Sequence, residues 1–450
     1  MKNLTPRKAL RWGCITGAGL LLFVVLLAGL LLAPIWDIAP VDDSDMRFER
    51  VELLEDENAW PLFRKAHASL RLFKPESEIW SDWEKSPEEH ADAIRRWFRE
   101  FPEIHTLIRE GLDRGAYRTP EIRRYADEVP WTLEDLELGR WYAIRSRTEP
   151  DEFLRRMWLK EHFHFAALCH SAGDTMIEAM SARGVLQSAT RSLLDDLYED
   201  RFSHESIRLL LEALPVFGLE TERMIRSFQS EYLAATQALD VDLPKVGLYG
   251  IHNEKKATAF WLMLLHRPHS WTFQPNRTKL LVLESLRDAV AVIRGEAELH
   301  TLTNDIDPRR FLRDRSIRSY LRFSQNGVGK IFTQMILPAS QGFITSHRNQ
   351  QAQLHALRII CALRLYHHQT GALPDTLEQL VPDFFDSVPL DPFDGQPFRY
   401  LPESARIYSV GQDGIDQGGS TRFRDPRRRK RSAFQHEDLV FGIFERIPQD

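Results

Sequence analysis

LHALRIICALRLYHHQTGALPDTLEQLVPDFFDSVPLDPFDGQPFRYLPESARIYSVGQDGIDQGG, residues 354–419, is the stretch on which the fold turns. Leu354, Leu357, Cys361 and Leu365 recur at three- and four-residue steps, with Ile360 and Leu363 beside them, which is the pattern of a helix with one apolar face. That helix is expected from Phe343 to about Thr370. Gly371 stands where a left-handed C-terminal cap belongs, and Pro374 follows. Asp375 and Glu378 have the spacing of a capping box for a short helix through Leu380. Pro382, Pro389 and Pro392 keep the chain extended and turning. Phe398-Arg399-Tyr400-Leu401 alternates as a strand, Glu403-Ser404 turns, and Arg406 to Val410 returns. Asp438 to Ile447 supplies a third apolar alternation. Residues 343–450 are therefore expected to form a small α+β module, a helix packed across a three-stranded antiparallel sheet.

LRLYHHQTGALPDTLEQLVPDFFDSVPLDPFDGQPFRY followed by IYSVGQDGIDQGG resembles the major pseudopilin of type II secretion. The shared features run from Tyr366 with Gly371 and Pro374, through a leucine-rich short helix, to an Asp391-Pro392-Phe393-x-Gly395-x-Pro397-Phe398-x-Tyr400 hairpin. A Ser409-x-Gly411-x-Asp413-Gly414-x-x-x-Gly418-Gly419 loop follows, and Glu437-Asp438-Leu439-Val440-Phe441 is similar to the family's last strand. The likeness covers about a fifth of the chain. It implies a calcium site with Asp413, Asp416 and Asp438 as ligands and backbone carbonyls around Ser409 and Gly411. The chemistry is reasonable, because calcium takes about six to eight oxygens and glycines let aspartates converge without bulk. The plain alternative is a solvated turn whose aspartates cap backbone amides. The family's processing site is missing near Arg11 to Leu20, and more than two hundred helix-patterned residues separate the two ends. The expectation is a pseudopilin-like head on a helical ectodomain, not a pilus subunit.

At the other end no charged residue occurs between Arg11 and Asp37, and residues 13–35 are dominated by Leu, Val, Ala, Gly and Phe. That length crosses ~30 Å of hydrocarbon as a helix. Trp12 and Trp36 sit at its ends, where indoles favour the interface. Lys2, Arg7, Lys8 and Arg11 precede it; Asp37, Asp42, Asp43 and Asp45 follow. The positive-inside bias makes residues 1–12 cytoplasmic and the bulk extracytoplasmic, anchored in a bacterial-type cytoplasmic membrane. A cleaved signal peptide fits less well: its apolar core is usually ~7–15 residues, and Ala33 is followed by Pro34.

Residues 36–56 read as an acidic, poorly structured linker, and 57–310 as a helical ectodomain, either stacked hairpins or an irregular bundle. Ser86-Pro87-Glu88-Glu89 looks like an N-cap, a first-position proline and an acidic first turn. Phe153, Leu154, Met157, Trp158 and Phe165 mark a helix opened by Pro150; Met176, Ile177 and Met180 begin another after Gly173; Ser203 with Ser206 opens a third. Most of the eleven tryptophans fall between Trp60 and Trp271, as packing residues. Residues 311–342 read as a connecting segment. Residues 420–433 are a basic insertion, with Arg427, Arg428, Arg429, Lys430 and Arg431 offering contact to anionic lipid or forming a solvated loop.

The balance of 59 basic against 65 acidic residues implies no general attraction to nucleic acid. Three cysteines give no disulfide framework; Cys169 and Cys361 are expected as buried thiols. His162, His164, Cys169 and His170 are the densest group of metal-ligand types. On a helix, however, His164 points nearly opposite to His162, so packing is the better reading. Gly327-Val328-Gly329-Lys330 lacks the first glycine and the Ser/Thr of a phosphate loop. Taken together, the sequence points to a mainly α, membrane-anchored interaction or scaffold protein with a protein partner. An association with a secretion or pilus-like system, or a hydrolase built on the histidine-rich helices, are the alternatives.

Overall fold

The computed structural model describes residues 37–50, 52–121, 131–214, 221–242, 273–297, 302, 325–420 and 438–447. The apolar run 13–35 and the basic run 427–431 lie outside them. No helix among the described residues is long and apolar enough to cross a membrane. What is described is mainly helical, with one three-stranded antiparallel sheet.

The described residues fall into two compact units. The smaller comprises 37–48, 228–242, 273–297 and 325–341. Here the expected loose linker is pinned down. Asp37 caps the helix Pro275–Arg294, accepting from the backbone N–H groups of Asn276 (2.8 Å) and Arg277 (3.0 Å). A carboxylate at a helix N-terminus satisfies unpaired donors and complements the dipole. Further along, Asp45 meets Arg287 at 2.5 Å and Asp43 accepts from Tyr232 Oη at 3.1 Å. The acidic composition that reads as solvated tether is thus a set of caps and ion pairs, whose partners lie more than 180 residues away.

A second correction concerns residues 311–342. The long helix begins at Gly327, well before Phe343, and runs to Thr370. Buried Asn326, at φ 53°, precedes it and accepts from Gln274 N–H at 2.9 Å. A Cβ on Gly329 would stand 1.9 Å from Thr278 Oγ1, so only glycine permits that approach. Two glycines at a helix start weaken its signal in the sequence. They also explain Gly-Val-Gly-Lys without any phosphate.

The larger unit comprises 49–121, 131–214, 221–227, 342–420 and 438–447, apart from residue 51. Its helices are α1 (Trp60–Phe73), α2 (Ser77–Lys85), α3 (Ala91–Glu100), α4 (Glu103–Arg114), α5 (Trp131–Thr148), α6 (Glu152–Ala172), α7 (Met176–Tyr198) and α8 (His204–Ala213). The helix Thr221–Gln237, α9, contributes residues 221–227 to this unit, and the long helix Gly327–Thr370, α10, contributes 342–370. Of the caps, Ser203 is the expected residue, whereas Asp151 and Thr175 cap helices expected only from Pro150 and Gly173. Asp151 accepts from Leu154 N–H, Thr175 and Glu178 form a reciprocal capping box, and Ser203 accepts from Ser206 N–H. Gly115 ends α4 at φ 69°. Ser86 to Glu89 differ: they form a turn, and the helix begins at Ala91. Glu88 instead serves Arg147 (2.6 Å) and Arg201 (3.7 Å).

Aromatic rings form a continuous chain through this unit. Trp80, Trp83 and Trp97 meet one another; Phe98 links Trp97 to Trp141; Trp141 touches Trp158 and Tyr142; Phe165 carries the contact to Phe63 and Tyr117. Edge-to-face pairs dominate, the arrangement favoured by ring quadrupoles. Trp80, Trp83, Trp97, Trp141 and Trp158 are core, as expected.

The sheet has strands β1 (Arg399–Leu401), β2 (Arg406–Ser409) and β3 (Leu439–Gly442) in the order β1-β2-β3. Tyr400 pairs with Ile407, and Ile407 with Phe441. Gly371 ends the long helix at φ 79°, as its position foretold. The short helix after it, Leu377–Leu380, is 3-10, and Thr376 occupies the N-cap position in place of Asp375, without a side-chain capping bond. Ile407, Phe441 and Ile443 belong to one buried cluster with Leu357, Ile360 and Cys361 of α10 and with residues of α1–α8. The sheet module and the helical array therefore share a core, a division that differs from the expected 57–310 and 343–450. Cys169 and Cys361 are both free and buried.

Candidate functional site

Two places in the larger unit gather chemistry at the surface. The first is the glycine turn expected to hold calcium. Gly411, Gly414, Gly418 and Gly419 all have positive φ, which tightens the loop so that its amides point inward. A Cβ on Gly419 would press Leu401 Cδ1 and Tyr408 Cδ1, both at 3.0 Å. Asp413 Oδ1 accepts from Ile415 N–H (3.0 Å), and its Oδ2 from Gln417 Nε2 (2.9 Å). Asp416 Oδ1 accepts from Gly418 N–H (2.8 Å) and Tyr408 Oη (3.0 Å). Asp438 accepts from Gln417 N–H and Gly419 N–H (2.8 Å).

The three carboxylates thus serve one turn. The Gly418 amide holds Asp416 below the usual carboxylate range. Asp438 is pushed up by burial, with Asp416 and Asp413 adding repulsion. A cation already sits there: Arg399 meets Asp394, Asp391 (3.4 Å) and Asp416 (3.6 Å). Fully buried Asp391 accepts from Ser409 Oγ (2.9 Å) and Val410 N–H (2.8 Å), tying the Asp-Pro hairpin to β2. Among the described residues no group of three or more His, Cys, Asp or Glu is disposed to hold a metal. The donor set is all oxygen and suits calcium chemically, but its oxygens are turned to amides, Tyr408 and Arg399.

The second place is a groove of 890 Å³ between α4, α6 and α8. Phe153, Met157 and Leu209 give it an apolar lining, which they share with Arg109, Arg156, Lys160 and His164 and with Asp113, Glu161 and Glu212. Arg156 stacks over Phe153 at 5.3 Å and donates to Ser206 Oγ at 3.1 Å. Glu161 is held by His105 at 2.9 Å and Arg109 at 3.8 Å. Phe153 is 62% exposed and Leu209 38%. In the sequence Phe153 and Leu154 stand with the apolar positions of their helix, and nothing there marks the groove. The available signal was that α6 carries more apolar residues than one stripe can bury. Leu133, Ile177 and Met180 are likewise exposed.

The histidine-rich stretch is divided by its own helix. His164 faces the groove, whereas His162 is wholly buried and stacked on Tyr142 at 5.3 Å. His170 stacks with His347 at 6.0 Å. Burial lowers His162 and His347 to about 3, with Arg183, Arg223 and Arg348 adding to the effect at His347. Asp135 accepts from Tyr117 Oη at 3.0 Å, and burial raises it to about 7. His355, on the long helix, meets Leu390 O at 2.8 Å. These groups are absorbed by packing. No family model matches the chain, and neither a curated protein nor a solved structure does.

Proposed function

We propose that this chain is an extracytoplasmic interaction protein, anchored in a bacterial-type cytoplasmic membrane by residues 13–35 with its N-terminus inside. Its C-terminal module is pseudopilin-like. The observation that carries the reading is the groove, which pairs an exposed aromatic and aliphatic lining with side chains of both charge signs. Exposed apolar surface rimmed by charge is characteristic of protein-binding sites. The anchor rests on the length and flanks of the apolar run, and Arg427 to Arg431 add attraction to anionic headgroups.

The test is a photo-crosslinking residue placed at Phe153 in membranes, with Leu72, 76% exposed on α1, as control. A discrete product is expected from position 153, and its loss when Leu209→Glu is added. Equal labelling from both positions would sink the idea.

The calcium reading, with Asp413, Asp416 and Asp438 as ligands, rests on the resemblance and on the shared turn. Extracellular modules bind calcium with dissociation constants of about 0.1–1 mM. Roughly 10 mM calcium would then stabilise the chain by about 1.4–2.7 kcal/mol. A rise in the unfolding midpoint that chelator reverses and Asp416→Ala abolishes is the expected result. A midpoint indifferent to calcium removes the metal from the account.

A further inference from the structure

His204 opens α8 and His368 lies in the last turn of the long helix α10, and their rings stand face to face. The centroids are 3.2 Å apart and the planes differ by 9°. Both side chains are exposed, so no packing force obliges two imidazoles to meet there. Two nitrogen ligands at 2.0–2.1 Å from one tetrahedral ion stand roughly 3.4 Å apart. The stacked rings aim their nitrogen lone pairs along parallel lines, so both exposed side chains must turn out of the stack for one nitrogen of each to reach a common ion.

We propose that His204 and His368 form a surface site for a divalent transition-metal ion of the zinc, nickel and copper class, clamping the start of α8 to the end of the long helix. Imidazole is a ligand these ions share, whereas magnesium and calcium prefer oxygen. Among the described residues no third His, Cys, Asp or Glu completes a set, so water fills the other positions. The surrounding charge is mixed. Asp200 acts on His204 and also meets Arg364 at 2.9 Å, four residues before His368. Arg208 follows one turn after His204 on α8. The C-terminal end of the long helix favours a cation, and the N-terminal end of α8 opposes one. Metal binding needs both rings neutral, and partial burial, with the His368 ring adding to it, already disfavours protonation of His204. His367 is turned away, its ring edge-on to Phe444 at 5.2 Å, and takes no part.

Binding to the folded chain alone raises stability with ligand concentration. The experiment is thermal unfolding of the full chain in detergent, without a polyhistidine tag, under zinc titration, with magnesium as control. The midpoint is expected to rise with zinc, stay unmoved by magnesium, and return with chelator. The zinc-dependent rise should vanish in His204→Ala, in His368→Ala and in the double variant alike, because either ring alone holds only one bond. Persistence of the rise in either single variant, or no rise in the native chain, overturns the proposal. His367→Ala should retain the rise in full; its loss there would also reassign the site.

Discussion

Replacing Ile407 by alanine is expected to destabilise the chain by about 2–5 kcal/mol, the range for emptying a large aliphatic side chain from a packed core. The more telling expectation is where the loss is seen. Every tryptophan lies at or before Trp271, so tryptophan emission is blind to the sheet module itself. Ile407 is fully buried in the cluster that also contains Trp80, Trp83, Trp97, Trp141 and Trp158. Polar contacts reinforce the junction: Arg364 donates to Ile443 O at 2.9 Å, Tyr198 to Gly442 O at 3.2 Å, and Arg446 pairs with Asp195. A shared core unfolds cooperatively. The emission-detected midpoint should therefore fall together with the one read by far-ultraviolet dichroism. If emission holds its native midpoint while dichroism shows an earlier partial transition, the module is an independent domain.

That coupling marks the boundary of what the sequence reveals. Gly371 and the Ser203–Ser206 pair announce helix ends through local chemistry, and the alternation of Arg399 to Ser409 announces a hairpin. Each signal spans a few residues and survives without knowledge of the rest. The partnership of Ile407 with the tryptophan-bearing helices has no such signature, since it joins positions hundreds of residues apart. Asp37 and Asp45 fail in the same way: beside a hydrophobic run they look like solvent-facing charge, and only Asn276, Arg277 and Arg287 make them structural. The groove was hidden for a different reason. Phe153 obeys helical spacing as well as any core residue does, and spacing does not say which face of a broad apolar helix is left uncovered. For the glycine turn the reverse holds. Asp413, Asp416 and Asp438 are grouped only by the family resemblance, while Arg399, the cation among their neighbours, reads in the sequence only as a strand residue.

Exchanging His162 for phenylalanine is expected to stabilise the chain, and more strongly in acid. His162 lies in the core with neither ring nitrogen hydrogen-bonded among the described residues. A buried polar atom without a partner costs about 1–3 kcal/mol. Phenylalanine keeps the ring that stacks on Tyr142 and removes those atoms, while its extra volume costs up to about 1 kcal/mol. The net gain at pH 8 should be about 1–2 kcal/mol. Burial lowers the folded-state pKa from 6.5 to about 3, so between those values the unfolded chain binds a proton that the folded chain excludes. The histidine's contribution is therefore lost progressively as pH falls below about 6.5. At pH 5 this adds about 2 kcal/mol, taking the advantage of the variant to about 3–4 kcal/mol. His170 and His347 are also buried with lowered affinity for protons, but they titrate identically in both chains and cancel in the difference. Urea unfolding of the two proteins at pH 8 and pH 5 measures it. An advantage that does not grow toward pH 5 rejects the charge argument. A loss at both values means that a partner of His162 in solution, or the volume of the added ring, outweighs the relief of the two nitrogens.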